Sequence, residues 1–156
     1  MRIISKKQLD ELTHQASESN RKRAHLLLHD KSDPVLKLVM AMEPETYAAP
    51  NRHSGQDRQE LFIALRGKFI VLIFDETGRV IGYVLIGPDE ENQMVEIPQG
   101  VWHTMWSLAK GSIAMEIIKG PYREETYKEF PNWAPSENDP TSPRYKKDIL
   151  QQLKLE

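Results

Sequence analysis

Apolar residues recur along this chain with two different periods, and the change from one to the other divides it. Behind Ser5, the segment K-K-Q-L-D-E-L-T-H-Q-A places Leu9, Leu12 and Ala16 at helical spacing. Ser5 is suited to cap the first turn, so a short amphipathic helix is predicted from Ser5 to about Ser19. From Ala24 the pattern becomes strand-like. A-H-L-L-L-H sets His25, Leu27 and His29 on one face of an extended segment. After the Asp33-Pro34 turn, V-L-K-L-V-M-A-M reads as a second strand, closed by E-P-E-T. Residues 61–65 and 69–74 are almost continuously apolar and rich in Ile, Val and Phe, which fits two buried strands joined by a tight turn at Arg66-Gly67-Lys68. D-E-T-G then forms a hairpin loop in which Gly78 can take a positive φ, answered by V-I-G-Y-V-L-I.

The polar loop 88–93 leads into M-V-E-I, which ends at Pro98, and Gly100 permits a sharp turn into W-H-T-M-W-S. Alternation in that strand sets His103, Met105 and Ser107 against Trp102, Thr104 and Trp106. S-I-A-M-E-I-I-K is a further strand, so seven to nine short strands follow Ala24, the spacing of an all-β sandwich or barrel. Beyond Gly120-Pro121-Tyr122 the chain turns polar and proline-rich. This reads as an irregular strap with Phe130 and Trp133 anchored on the body, before Ile149, Leu150 and Leu153 mark a short C-terminal helix. No internal repeat or low-complexity stretch interrupts the pattern.

With 156 residues, 39% of them apolar, the chain is expected to form one domain, 1–156, with a core over about 24–120. A formal charge of −2 gives no basic excess, which argues against nucleic acid and against an anionic membrane as partners. The absence of cysteine removes disulfides, thiolate ligands and a cysteine nucleophile together, so any metal must be held by nitrogen and oxygen. The N-terminus carries charges where a signal peptide needs an apolar core, and no apolar run approaches the ~20 residues of a membrane span; a cytoplasmic location is expected.

The chemistry gathers in two stretches. In 51–67, His53 and Glu60 stand ahead of an apolar strand that ends at Gly67; in 98–103, P-Q-G-V-W-H brings His103 after a turn. Two imidazoles and a carboxylate form a borderline ligand set, suited to zinc, iron, nickel, copper or manganese rather than to calcium or magnesium. Glu116 lies inside an apolar strand, where a carboxylate is costly unless it is paired or faces a cavity. It therefore either forms a salt bridge to a Lys or Arg on the next strand or serves a site as acid–base group. His25 or His29 could likewise point into a pocket or be solvated on an edge strand.

With strands on both sides, these stretches resemble the paired motifs of the cupin superfamily. Glu60, six residues and Gly67 match the end of the first motif, and Pro98, Gly100 and His103 match the second, with Ser107 in its last place. More of the chain is similar to the WbuC-type cupin-fold metalloproteins: E-P-E-T-Y, E-L-F-I-A-L-R-G, F-D-E-T-G-R-V, E-I-P-Q-G-V-W-H-T, G-P-Y and N-W-A-P. The resemblance implies an all-β cupin jelly-roll barrel, here with short N-terminal and C-terminal helices. It also implies one divalent transition metal (zinc, iron, nickel or manganese) held by His53, Glu60 and His103. The pattern departs at the first histidine pair. Asn51 takes the first histidine's place if the loop to Glu60 is lengthened by S-G-Q-D, or else His53 is the first histidine and Gly55 stands for the second. The former alignment is preferred and makes Asn51 a weak oxygen donor.

WbuC-type proteins are associated with bacterial O-antigen and surface-polysaccharide gene clusters. The resemblance thus implies a carbohydrate-like small molecule as partner, with His29 and Tyr122 as substrate-binding candidates and Glu116 as the catalytic one. Two readings follow: an enzyme acting on a carbohydrate or sugar nucleotide, isomerase-like, epimerase-like or oxygenase-like; or an accessory, small-ligand-binding cupin with a structural metal. A homodimer is expected by analogy with other cupins.

Overall fold

The structure, a computed structural model, describes residues 1–54, 58–124 and 128–155. Most of the lengthened S-G-Q-D loop and part of the strap lie outside the described residues. Helix α1, Lys6–Glu18, begins as predicted: the Gln8 amide donates to Ser5 Oγ, and the Ser5 amide donates back to the Gln8 side chain, a reciprocal capping box. Eight strands follow, β1 Arg23–Leu27, β2 Val35–Met42, β3 Glu60–Arg66, β4 Phe69–Phe74, β5 Val80–Ile86, β6 Met94–Ile97, β7 Trp102–Ser107 and β8 Ser112–Lys119, and then helix α2, Ser142–Gln152. All pairings between these strands are antiparallel. They form a five-stranded sheet ordered β1-β2-β8-β3-β6 and a three-stranded sheet ordered β5-β4-β7. This is the all-β cupin jelly-roll fold that the resemblance implies.

The sheets and helices stack in layers. On its outer face the larger sheet offers Val39, Ala41 and Ile113 to Leu12 and Ala16 of α1. Its inner face meets the small sheet through Met40, Met42, Phe62, Phe69, Val71 and Met105. The far face of the small sheet, Ile70, Leu72, Phe74, Trp102 and Trp106, is closed by Ile149 and Leu150 of α2. The sequence F-I-V-L-I-F of β4 has no polar alternation because both of its faces are covered. Each such side chain contributes roughly 1.5–3 kcal/mol on full burial.

Two turns position the site. Gly67, at φ 72°, joins β3 to β4, but β4 does not fold back beside β3: the turn carries the chain from one sheet to the other. A Cβ at Gly67 would collide with the Ser112 side chain, so only glycine satisfies both the dihedral and the space. At the β4–β5 hairpin, Asp75 Oδ1 accepts from the Thr77 and Arg79 amides at 2.8 and 3.0 Å. Strand β1 stops at Leu27, so His29 falls beyond the extended face on which it was expected. The strap divides its aromatics. Trp133 packs on Phe74 and Trp102 with ring centroids 5.2 and 6.0 Å away, whereas Phe130, also expected to be an anchor, is 62% exposed. No described helix is long and apolar enough to cross a membrane.

Candidate metal centre

Three backbone features bring the ligand candidates together. Glu60 opens β3 with its side chain on the inner face, because Phe62 and Ala64, two and four residues on, both belong to the inner core. His103 lies on β7, opposite Ile73 of β4. Asn51 is laid against β7 by two backbone hydrogen bonds with His103, each 2.9 Å, and Gly100, at φ 76°, donates its amide to the His53 carbonyl at 2.9 Å. The proline-glycine turn thus ties one motif to the other.

The result is a convergence on one oxygen. His103 Nε2 lies 2.7 Å and His53 Nε2 3.2 Å from Glu60 Oε2, and all three residues are at most 2% exposed. His103 Nδ1 is 2.8 Å from the Val101 carbonyl. A carbonyl only accepts, so Nδ1 carries a proton, and in the neutral ring Nε2 then presents a lone pair to the carboxylate. Two ring nitrogens and a carboxylate oxygen facing one another are stable only with positive charge between them, a proton or a metal ion. Tetrahedral ligands about 2.1 Å from a zinc-like ion lie roughly 3.4 Å apart, close to the spacing present.

Two further atoms fit a cation. Asn51 Oδ1 and Glu60 Oε1 are buried and accept no hydrogen bond among the described residues. Leaving such acceptors unpaired is costly unless a positive partner occupies the space. Burial resists the ionisation of Glu60, but the hydrogen bond and charge of His103, the hydrogen bond of His53 and the charge of Lys128 hold its carboxyl well below the usual range. An ionised carboxylate flanked by imidazoles is the state a divalent ion requires. His53, Glu60 and His103 therefore form a cluster able to hold a metal.

Glu60 and His103 open onto a cavity of about 180 Å³ between the sheets. Glu116 lines it from β8 and is 5% exposed. The register places Glu116 diagonally from Glu60, since Glu60 is opposite Ile118 and Phe62 opposite Glu116. Lys128 of the strap is close enough for its charge to interact with that of Glu116. Burial acts to lower the Lys128 pKa, and the charges of Glu116, Glu60 and Glu137 outweigh it, so the ammonium titrates above its ordinary range. His25 reaches the cavity wall, and burial together with Arg21 and Lys128 lowers its pKa despite Glu137.

The two substrate-binding candidates do not reach that wall. His29 Nδ1 contacts the Lys37 backbone, 2.6 Å from its oxygen and 2.9 Å from its nitrogen, because the chain leaves β1 before it. Tyr122 is turned to Lys31, whose ammonium lies 5.3 Å from the ring centroid. Lys128 and the Arg23–Glu137 ion pair, 2.5 Å, are cavity residues that the sequence did not single out. Lys128 sits in a polar segment without periodicity, and no local pattern ties it to β8.

A family model described as Domain of unknown function (DUF6016) matches residues 4–86. No curated protein matches the chain. Among solved structures, CapF of Staphylococcus aureus, a capsular polysaccharide assembling protein, aligns at 16% identity and a TM-score of 0.60 over 72% of this chain and 32% of its own. KdgF from Halomonas sp. aligns at 12% identity and 0.53 over 69% and 87%. Oxalate decarboxylase from Bacillus subtilis aligns at 17% identity and 0.54 over 86% and 32%. At such identities the likeness is one of fold, and the chain spans about a third of CapF and of the decarboxylase.

Proposed function

The chain belongs to the family described as Domain of unknown function (DUF6016), and from that premise we propose, on the chemistry of the site, a metal-binding cupin of the WbuC type. Its proposed role is that of an enzyme acting on a carbohydrate or sugar nucleotide in bacterial surface-polysaccharide (O-antigen) biosynthesis. The observation that carries the metal is the approach of two buried imidazole nitrogens to one ionised carboxylate oxygen, at 2.7 and 3.2 Å. The donors are borderline, which favours zinc, iron, nickel or manganese. Mn(II) centres are described for Bacillus subtilis oxalate decarboxylase, which shares the fold. CapF supports the polysaccharide setting as a structural neighbour.

A divalent ion at this position would act as a Lewis acid on a carbonyl or hydroxyl oxygen. The chain's own residues do the rest. Glu116, on the same inner face as Glu60, lines the cavity, which supports a role in taking or returning a proton on a ligand there. The cavity, about 180 Å³, accommodates a single sugar unit; a nucleotide would lie outside it.

The facing charges of Glu116 and Lys128 favour a second reading, in which the pair is structural and the protein binds a small ligand without turning it over. Metal analysis of protein purified without chelator tests the premise of both. Wild-type protein and Glu116→Gln are expected to carry about one equivalent of a transition metal and His103→Ala almost none; equal, negligible metal in wild type and His103→Ala ends the proposal. With metal retained, loss of carbohydrate turnover in Glu116→Gln favours the enzyme, and unchanged turnover excludes Glu116 as the proton carrier.

A further inference from the structure

Among the described residues, Phe130 is the largest apolar side chain that the strap leaves bare, and it belongs to two cavities at once. Together with Ala49 and Glu137 it lines the metal-side cavity and also a neighbouring groove of about 230 Å³. Three prolines, Pro50, Pro131 and Pro135, complete most of that groove, with Ser136 beside Glu137. The exposure of Phe130 is not needed to hold the strap. Trp133 packs on Phe74 and Trp102, the Tyr47 hydroxyl donates to the Pro135 carbonyl at 2.9 Å, and Arg52 bonds Glu129 at 2.8 Å.

The chemistry of the groove selects its occupant. The three prolines have no amide proton and offer C–H surface to the groove. Glu137 adds an acceptor: Arg21 and Arg23 both bond Oε2, at 2.8 and 2.5 Å, which fixes the carboxylate and leaves Oε1 outside these two bonds. A carboxylate in the groove wall disfavours phosphate or carboxylate and suits a ligand that brings hydroxyl hydrogens. The exposed ring adds an electron-rich face that attracts aliphatic C–H groups. A pyranose ring has both, an apolar C–H face and an edge of hydroxyls. A volume of about 230 Å³, roughly eight waters at ~30 Å³ each, is of the order of one such ring.

From this we infer that the groove is a second carbohydrate subsite, in which a pyranose ring stacks on Phe130 while the adjoining unit of the same ligand enters the metal-side cavity past Ala49 and Glu137. The inference rests on the carbohydrate reading and extends it: the ligand has at least two units, and the strap binds the one that does not react.

Saturation-transfer NMR tests it, with the methyl α- and β-glycosides of glucose, galactose, mannose and rhamnose as probes and metal content measured on the same samples. At least one glycoside is expected to bind wild-type protein, to bind about tenfold more weakly to Phe130→Ala, and to be restored by Phe130→Trp, with metal content equal in all three. Phe130 is bare, so its replacement leaves the fold intact, and an unchanged melting temperature verifies this. The inference is overturned if no glycoside binds, if Phe130→Ala binds as well as wild type, or if cyclohexanol, a ring of similar size without the hydroxyl edge, competes equally. Metal present without Phe130-dependent binding refutes the subsite alone, whereas absent metal refutes the metal centre and leaves the glycoside result to stand by itself.

Discussion

At the residue scale the site depends on where a few atoms point. Glu60 Oε2 is shared by two imidazoles, while Glu60 Oε1 and Asn51 Oδ1 are buried with no hydrogen bond from the described residues. In the preferred alignment asparagine stands where the first cupin motif has a histidine, and an amide oxygen is a weaker donor to a borderline metal than an imidazole nitrogen. Asn51→His is therefore expected to tighten metal binding by about tenfold or more, measured by competition with a chelator of known affinity. An unchanged affinity would mean that Oδ1 does not face the ion. The ligand residues were legible because motif spacing reports on strand ends. Lys128 was not, since its relation to Glu116 exists only after the strap has crossed the barrel.

At the scale of elements, turns set the register on which the ligands rely. Asp75 closes the β4–β5 hairpin. The Thr77 hydroxyl, the Arg79 amide and the Arg79 guanidinium outweigh slight desolvation and hold its carboxyl well below the usual range. A depressed carboxyl contributes stability above its unfolded pKa, and that contribution is lost as pH falls through the folded value. The melting temperature is thus expected to drop on acidification below about pH 4, and Asp75→Asn to flatten that drop while lowering stability at neutral pH. Identical profiles for the two proteins would show that the turn does not need the charge. The D-E-T-G hairpin was readable from sequence, but the passage of Gly67 between sheets was not: a tight turn fixes a change of direction, and only packing decides which sheet the next strand joins.

At the scale of the whole molecule, the C-terminal helix is bolted to the barrel by a buried cation. Lys146 is 7% exposed and donates to the carbonyls of Pro44 and Thr46 at 2.6 and 2.7 Å, with its ammonium 5.5 Å from the Trp106 ring centroid. Lys146→Met keeps the aliphatic stem but leaves two buried acceptors without a donor, a cost of about 1–3 kcal/mol. Denaturant unfolding should show a lower midpoint with an unchanged slope; an unchanged midpoint would mean that water replaces the ammonium without cost. The same helix covers Trp102 and Trp106, on the strand that carries His103, so its loss would also loosen the ligand strand.

The sequence by itself determined the class of the fold and singled out the three residues that could hold a metal. Periodicity distinguishes helix from strand residue by residue, and the motifs single out His53 and Glu60 ahead of an apolar strand and His103 after a turn. Tertiary structure alone decided which side chains share the cavity. The charge of Lys128, from the strap, interacts with that of Glu116 on β8, His29 turns to the Lys37 backbone, and Phe130 stays exposed while Trp133 is the anchor. The physical reason is range. Alternation along a strand is set by neighbours in the chain, whereas a cavity is assembled from segments far apart in sequence, whose meeting depends on how whole sheets and the strap pack.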